Sequence, residues 1–291
     1  MHSYLPAIGF SNITKEELDN IIYEAVRKPD GHEVAFDSEG NECVELTLQV
    51  CSYAGIAIRG VYDQDDNFKV DYYYPYCIGD TLSTGADLEI IKQSDKESYQ
   101  GLCDDARIGV NLIFYLQNMM EYLQKGEGRT IFSEEHFRNT FLTGLSLGGK
   151  IILPVVKSTP VKKENTPNVD RASLVAAARE GDEEAIESLT IDDMDTYSMI
   201  SKRVAKEDVY SIVTTTFMPY GIESDKYMVI AEILDFKKIA NMITQEELYL
   251  LRLQSNEIEF DVCINKNDLL GEPAIGRRFK GTVWMQGRVE F

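Results

Sequence analysis

Apolar positions recur along this chain in two rhythms, one near every third or fourth residue and one at every second. Leu18, Ile21, Ile22 and Ala25 follow Thr14-Lys-Glu-Glu17 at helical spacing. The Thr-x-x-Glu start is that of a capping box, so a first helix is expected to about Lys28, where Pro29-Asp-Gly ends it. Residues 43–61 and 68–78 are rich in β-formers and flank the polar turn Asp63-Gln-Asp-Asp-Asn67, which predicts a hairpin. The first of these runs is broken near Gly55, as one bent strand or two. The tyrosines of Tyr72-Tyr73-Tyr74-Pro-Tyr76 fit a half-buried strand that uses both faces. Ile108, Leu112, Tyr115, Leu116, Met119, Met120 and Leu123 then predict a long helix over 105–125, packed on the hairpin. A shorter helix at 134–141, a glycine-rich turn and an edge strand at 150–156 complete the first half.

Residues 158–169 carry two prolines and little apolar content, which marks a boundary. The expected organisation is an α+β domain over 1–157, a linker over 158–169 and a second α+β domain over 170–291, both with mainly antiparallel sheets. The second domain opens with a helical hairpin around Gly181. Short strands follow at 208–216, 226–236 and 258–264 and in the closing stretch, as a curved sheet or small barrel. Thr244-Gln-Glu-Glu247 repeats the capping-box spacing and predicts a short helix there. The closing pair is expected at 279–285 and 288–291, joined through Gln286-Gly287.

Composition places the chain among soluble globular proteins, with 291 residues, 44% hydrophobic and 27% charged. A net charge of −20 opposes general affinity for nucleic acid or anionic lipid, so neither is an expected partner. Five scattered cysteines without a Cys-x-x-Cys fit a reducing compartment, and no sequence cluster resembles a metal site. The first residues show no secretory pattern, and the most apolar run, 108–123, is too short and too interrupted to span a bilayer. A cytoplasmic location is the expectation.

Several motifs tempt. Gly144-Leu-Ser146-Leu-Gly148 spells G-x-S-x-G, but it lies between a predicted helix and a predicted strand, and His2, His32 and His136 all precede it. Gly144 with Gly149-Lys150 begins like a phosphate-binding loop, but Ile151 stands where a hydroxyl should hold magnesium. Asp63-x-Asp65-x-Asn67 starts like a calcium loop, but Phe68 and Tyr74 replace its glycine and closing glutamate. The cationic stretch near the end remains: Arg277, Arg278, Lys280 and Arg288 surround Trp284, the only tryptophan. Arginine forks bind carboxylate or phosphate, and a tryptophan adds a stacking face, so these five form the candidate ligand site. The competing reading makes Phe279, Val283 and Trp284 part of the second core, with the cations paired to the acids of 180–201, a stretch of eight acids without Lys or Arg.

The opening MHSYLPAIGFS, the segments GLCDDARIGVNLIFYLQN, DTYSMISKR and FMPYGIESDKY, and the closing INKNDLLGEPAIGRRFKGTVWMQG resemble an uncharacterised family of cytoplasmic proteins from clostridia-type Firmicutes. That family is known only as a domain of unknown function, and the resemblance implies no activity, cofactor or catalytic residue. The functional expectation is a non-enzymatic binding or interaction protein that recognises an anionic small molecule or an acidic protein partner, with self-association through a strand edge as a further possibility. The alternative is a hydrolase or nucleotide-using enzyme with its site between the two domains. Neither a cofactor nor a metal is expected.

Overall fold

A computed structural model describes residues 1–37, 39–93, 98–105, 107–108, 111–126, 138–155, 171–191, 194, 213–222 and 224–291. Its class is α+β with strands dominating. After a 3-10 turn (Leu5–Ile8) comes α1 (Lys15–Arg27), then β1 (Gly31–Phe36), β2 (Glu42–Cys51), β3 (Ala54–Tyr62) and β4 (Phe68–Cys77). Next are β5 (Asp87–Lys92), β6 (Tyr99–Asp104), β7 (Leu112–Leu116), α2 (Met119–Gln124) and β8 (Thr140–Ile152). Helix α3 (Arg171–Arg179) is followed by β9 (Thr216–Pro219), β10 (Lys226–Ala240), β11 (Glu247–Ser255), β12 (Ile258–Asn265), β13 (Leu269–Leu270) and β14 (Arg278–Val289).

The capping box predicted for α1 is present: Thr14 accepts from the Glu17 amide, and the Glu17 carboxylate accepts from Thr14 N–H. Strands β1 to β4 form an antiparallel meander, so the hairpin across Asp63–Asn67 is as expected. The Asp63 carboxylate caps its own turn by accepting from the amides of Asp65 and Asn67. The bent run 43–61 resolves into two strands, β2 and β3.

A five-stranded barrel sits behind this sheet. β10, β11 and β12 pair antiparallel in sequence order, β12 pairs parallel with β8, and β8 and β10 both pair antiparallel with β14, which closes the ring. The barrel expected of the later chain is therefore present, with β8, from before residue 157, as one stave. Beyond the ring, β14 continues into parallel pairing with β7 and so into β6 and β5. One ten-stranded sheet thus carries strands from both sides of residues 158–169, which themselves lie outside the described residues.

Two cores follow from strand alternation. Along β11, Tyr249, Leu251 and Leu253 join the core that fills the barrel, with Phe260, Val262, Phe279 and Val283. Leu248 and Leu250 face the other way, into a second core shared with Val44, Leu46, Ile56, Ile58, Leu18 and Ile22. The barrel wall is buried on both sides, which explains the nearly unbroken apolar run of β11.

That double burial also accounts for the misread elements. The long helix predicted over 105–125 is a strand, β7, followed by the short α2. Leu112, Phe114 and Leu116 enter one core and Tyr115 the other, so an apolar set that reads at helical spacing also satisfies a strand of period two. Thr244–Glu247 forms a tight turn, not a helix: Asn241 Oδ1 accepts from the amides of Ile243 and Thr244, and β11 starts at Glu247. The predicted helix at 134–141 has its first four residues outside the described ones, and Thr140 and Phe141 already belong to β8. The edge strand predicted at 150–156 is the end of β8, which stops at Ile152. The expected strand 208–216 lies largely outside the described residues, with Thr216 opening β9. The closing pair is one strand: Gln286 and Gly287 pair with β7 on one side and β8 on the other, which holds the chain extended through the expected turn.

The glycines of β8 belong to this closure. A Cβ on Gly144 would stand 2.1 Å from Val283 Cγ1, and one on Gly149 would stand 2.3 Å from the Phe279 ring. The barrel can close here only because neither position carries a side chain. A Cβ on Gly148 meets nothing nearer than 4.0 Å. Gly149→Ala is therefore expected to lower unfolding free energy by about 1–3 kcal/mol, through overpacking, and Gly148→Ala by much less. Urea unfolding followed by circular dichroism measures both, and equal losses would contradict this account of the seam.

Candidate functional site

Four parts of the fold meet where the first sheet passes the outer face of β14. The start of the chain brings His2, Ser3 and Tyr4; β4 brings Tyr72, Tyr73 and Tyr74; β7 brings Tyr115; the β9–β10 connection and β10 bring Asp225 and Lys226. Together with Trp284 of β14, and with Gln93 and Ser98 at the β5–β6 end, they line a cavity of about 260 Å³. Drug-sized sites run from about 300 to 1,000 Å³, so this one suits a smaller molecule.

The rings form a continuous wall. Trp284 lies 5.0 Å from His2, 5.2 Å from Tyr4 and 5.6 Å from Tyr115 between centroids, and Tyr115 lies 4.7 Å from Tyr74. The edge of the indole is fixed by Asp225, whose Oδ2 accepts from Trp284 Nε1 at 2.9 Å. Lys226 Nζ stands over Tyr4, 5.4 Å from the ring centre.

Beneath the wall is a buried charge network. Arg59, 3% exposed, donates Nε to Glu45 at 2.5 Å, Nη1 to Tyr72 Oη at 2.7 Å and Nη2 to Tyr74 Oη at 3.3 Å. Its guanidinium also lies against three rings, 5.6, 5.2 and 6.0 Å from the centroids of Tyr72, Tyr74 and Tyr115. Tyr74 Oη in turn donates to Glu45 at 3.2 Å. Burial pushes the Tyr74 and Tyr115 hydroxyls well above the usual phenol range, so both remain proton donors at neutral pH. The Tyr115 hydroxyl approaches that of Tyr72 but is buried without a hydrogen bond of good geometry. Burial also raises the pKa of Asp225, with the Trp284 bond acting in the opposite direction.

This geometry sits in a chain whose sequence is matched over residues 5–287 by the model of a domain of unknown function described after an E. rectale gene. The chain belongs to the DUF3881 family. No curated protein and no solved structure matches it. The resemblance read from the sequence segments is thus borne out, and every cavity residue from Tyr72 onward lies inside the DUF3881 match.

Of the five residues proposed from sequence, only Trp284 lines the cavity. Arg278, 4% exposed, is turned onto backbone carbonyls: Nε and Nη2 reach Leu153 O at 2.9 and 2.7 Å, and Nη1 reaches Val213 O. Arg277 donates to Glu272 O at 2.9 Å. Lys280 is half-buried, and Arg288 is exposed against the Phe141 ring at 4.6 Å. Arg278 and Arg288 are ten residues apart on one extended strand, about 33 Å, so Arg288 is remote from the other three cations. Phe279, Val283 and Trp284 are core residues, as the competing reading held. Among the described residues, the ion pairs of the structure include none between these cations and the acids of 180–191, and the later part of that acidic stretch falls largely outside them.

The motifs set aside in the sequence have structural uses in this chain. Ser146 lies within β8, fully buried, its hydroxyl set between Thr282 O at 2.9 Å and Gly148 O at 3.1 Å. Lys150 lies in that same strand, so no strand-to-helix loop exists for phosphate. Among the described residues no three His, Cys, Asp or Glu side chains are grouped to hold a metal, and no helix is long and apolar enough to cross a membrane. All five cysteines are free thiols.

Sequence reading passed over Arg59, Asp225 and Lys226. Arg59 had a signal: it is the only charge in the apolar run of β3, and such a residue must find partners when the strand is buried. Glu45→Leu removes that partner and leaves a buried guanidinium, which is expected to cost about 3–5 kcal/mol. Adding Arg59→Met is expected to restore part of the loss. Denaturant unfolding of the single and double variants measures this, and a double variant no more stable than the single one would show that the pair is not coupled.

Proposed function

We propose that this protein is a small-molecule binding protein whose ligand seats a ring against Trp284, Tyr4 and Tyr115 and accepts hydrogen bonds through an oxygen of its own. The observation that carries this reading is the convergence of aromatic side chains from four separate segments around one small cavity with charged groups at its wall. Stacked and tilted ring contacts contribute about 0.5–1.5 kcal/mol each beyond the area they bury. At the base of the wall, the buried Tyr115 hydroxyl lies beside that of Tyr72 without a hydrogen bond of good geometry, so a better-placed acceptor gains from it. Tyr72, whose oxygen already accepts from Arg59, is a polarised donor. A ligand carboxylate or carbonyl oxygen matches these donors and the Lys226 ammonium, which keeps the expectation of an anionic group and favours a small molecule over a protein surface.

Trp284 is the only tryptophan, so its emission reports on this cavity alone. Titration with a panel of ring-bearing carboxylates is expected to quench or shift that emission saturably, and Tyr4→Ala is expected to weaken binding by about tenfold, a loss near 1.4 kcal/mol. A panel without any saturable change at millimolar concentration would overturn the reading.

A further inference from the structure

The cavity wall presents two opposite charges on consecutive residues, each anchored to a different ring. Asp225 is bound to the indole edge of Trp284 through Oδ2, and Lys226 stands over the face of Tyr4. Both line the same 260 Å³ space. We propose that the ligand is a zwitterion of the α-amino acid class with an aromatic side chain. Its ammonium pairs with Asp225, its carboxylate with Lys226 and the Tyr115 and Tyr72 hydroxyls, and its ring lies on the aromatic wall.

The proposal rests on the cavity being a ligand site, and it adds the charge pattern of the ligand. A purely anionic ligand leaves the Asp225 carboxylate facing a like charge in a partly desolvated site. A purely cationic one competes with Lys226 and with the Arg59 guanidinium already lodged against Tyr72, Tyr74 and Tyr115. A zwitterion meets both signs and leaves the cavity's own balance unchanged. Burial is the chief cause of the raised pKa of Asp225, and the Trp284 bond and the Lys226 charge act against it.

Isothermal titration calorimetry on the full chain tests this with three matched sets: L-phenylalanine, L-tyrosine and L-tryptophan; their amines without the carboxylate; and their acids without the amino group. The amino acids are expected to bind at least tenfold more tightly than either counterpart. Lys226→Met is expected to erase the preference over the amines. Asp225→Asn, whose amide oxygen still accepts from Trp284, is expected to erase the preference over the acids. Circular dichroism of each variant establishes that it folds. Equal binding of an amino acid and either counterpart to the unmodified chain overturns the proposal. So does absence of amino acid binding: if other ring-bearing carboxylates still perturb Trp284, only the zwitterion fails, and if none does, the cavity reading fails with it.

Discussion

The seam between β8 and β14 is the constraint on which the structure depends. β14 is the strand that closes the barrel, and it is also the strand from which β7, β6 and β5 extend. Closure brings Phe279 and Val283 against β8, and the space for them exists only because Gly144 and Gly149 lack side chains. Gly287 makes the same concession farther along, where a Cβ would stand 2.5 Å from the Phe114 ring. Small residues in strand interiors weaken strands on their own account, so their recurrence along β8 and β14 reflects close packing between strands and core.

Alternation along β14 then connects the barrel to the cavity. With Phe279, Val283, Met285 and Val289 committed to the interior, the intervening positions face outward, and Trp284 is carried into the second core beside Tyr4, Tyr74 and Tyr115. The start of the chain is held there by polar contacts to the barrel: Asn241 donates to Ile8 O, Thr244 to Gly9 O, and the Cys263 thiol to Ala7 O. Asn265 reaches Ser11, whose hydroxyl also bonds Glu246. The cavity wall is therefore assembled from residues that have no local reason to be neighbours, and its rings are positioned by strand register and not by loop conformation.

What the sequence disclosed follows the range of the physics involved. The first helix, the β3–β4 hairpin and the strand character of Tyr72–Tyr76 depend on neighbours within a few residues, and each was legible from caps, turn residues and alternation. The barrel was legible as a run of short strands, but its β8 stave was hidden because a parallel pairing with β12 leaves no local signature. β7 was read as helix because burial on both faces removes the alternation that identifies a strand. At the site, Trp284 stood out by composition, while Asp225 and Lys226 are an ordinary pair in a chain with 27% charged residues. The arginines drew notice for the same reason, and of them Arg278 serves carbonyl groups at a strand end.

The Arg59–Glu45 pair shows why a structure would tolerate such an arrangement under its cavity. Two buried charges in good geometry seldom add much net stability, because desolvation consumes most of their attraction. Here the guanidinium does more than neutralise Glu45. It fixes the hydroxyls of Tyr72 and Tyr74 and supports the rings of Tyr72, Tyr74 and Tyr115 from behind. A wall of tyrosines with free hydroxyls has many rotational states, and hydrogen bonds to a rigid planar cation select one of them. The ring wall is thus ordered in the folded chain itself, so a ligand of the proposed kind would meet it with the ordering cost already met during folding. That preorganisation separates this cavity from a gap between two sheets. On the proposed binding reading, it also places a key supporting residue on β3, beside the strand that carries Tyr72 and Tyr74.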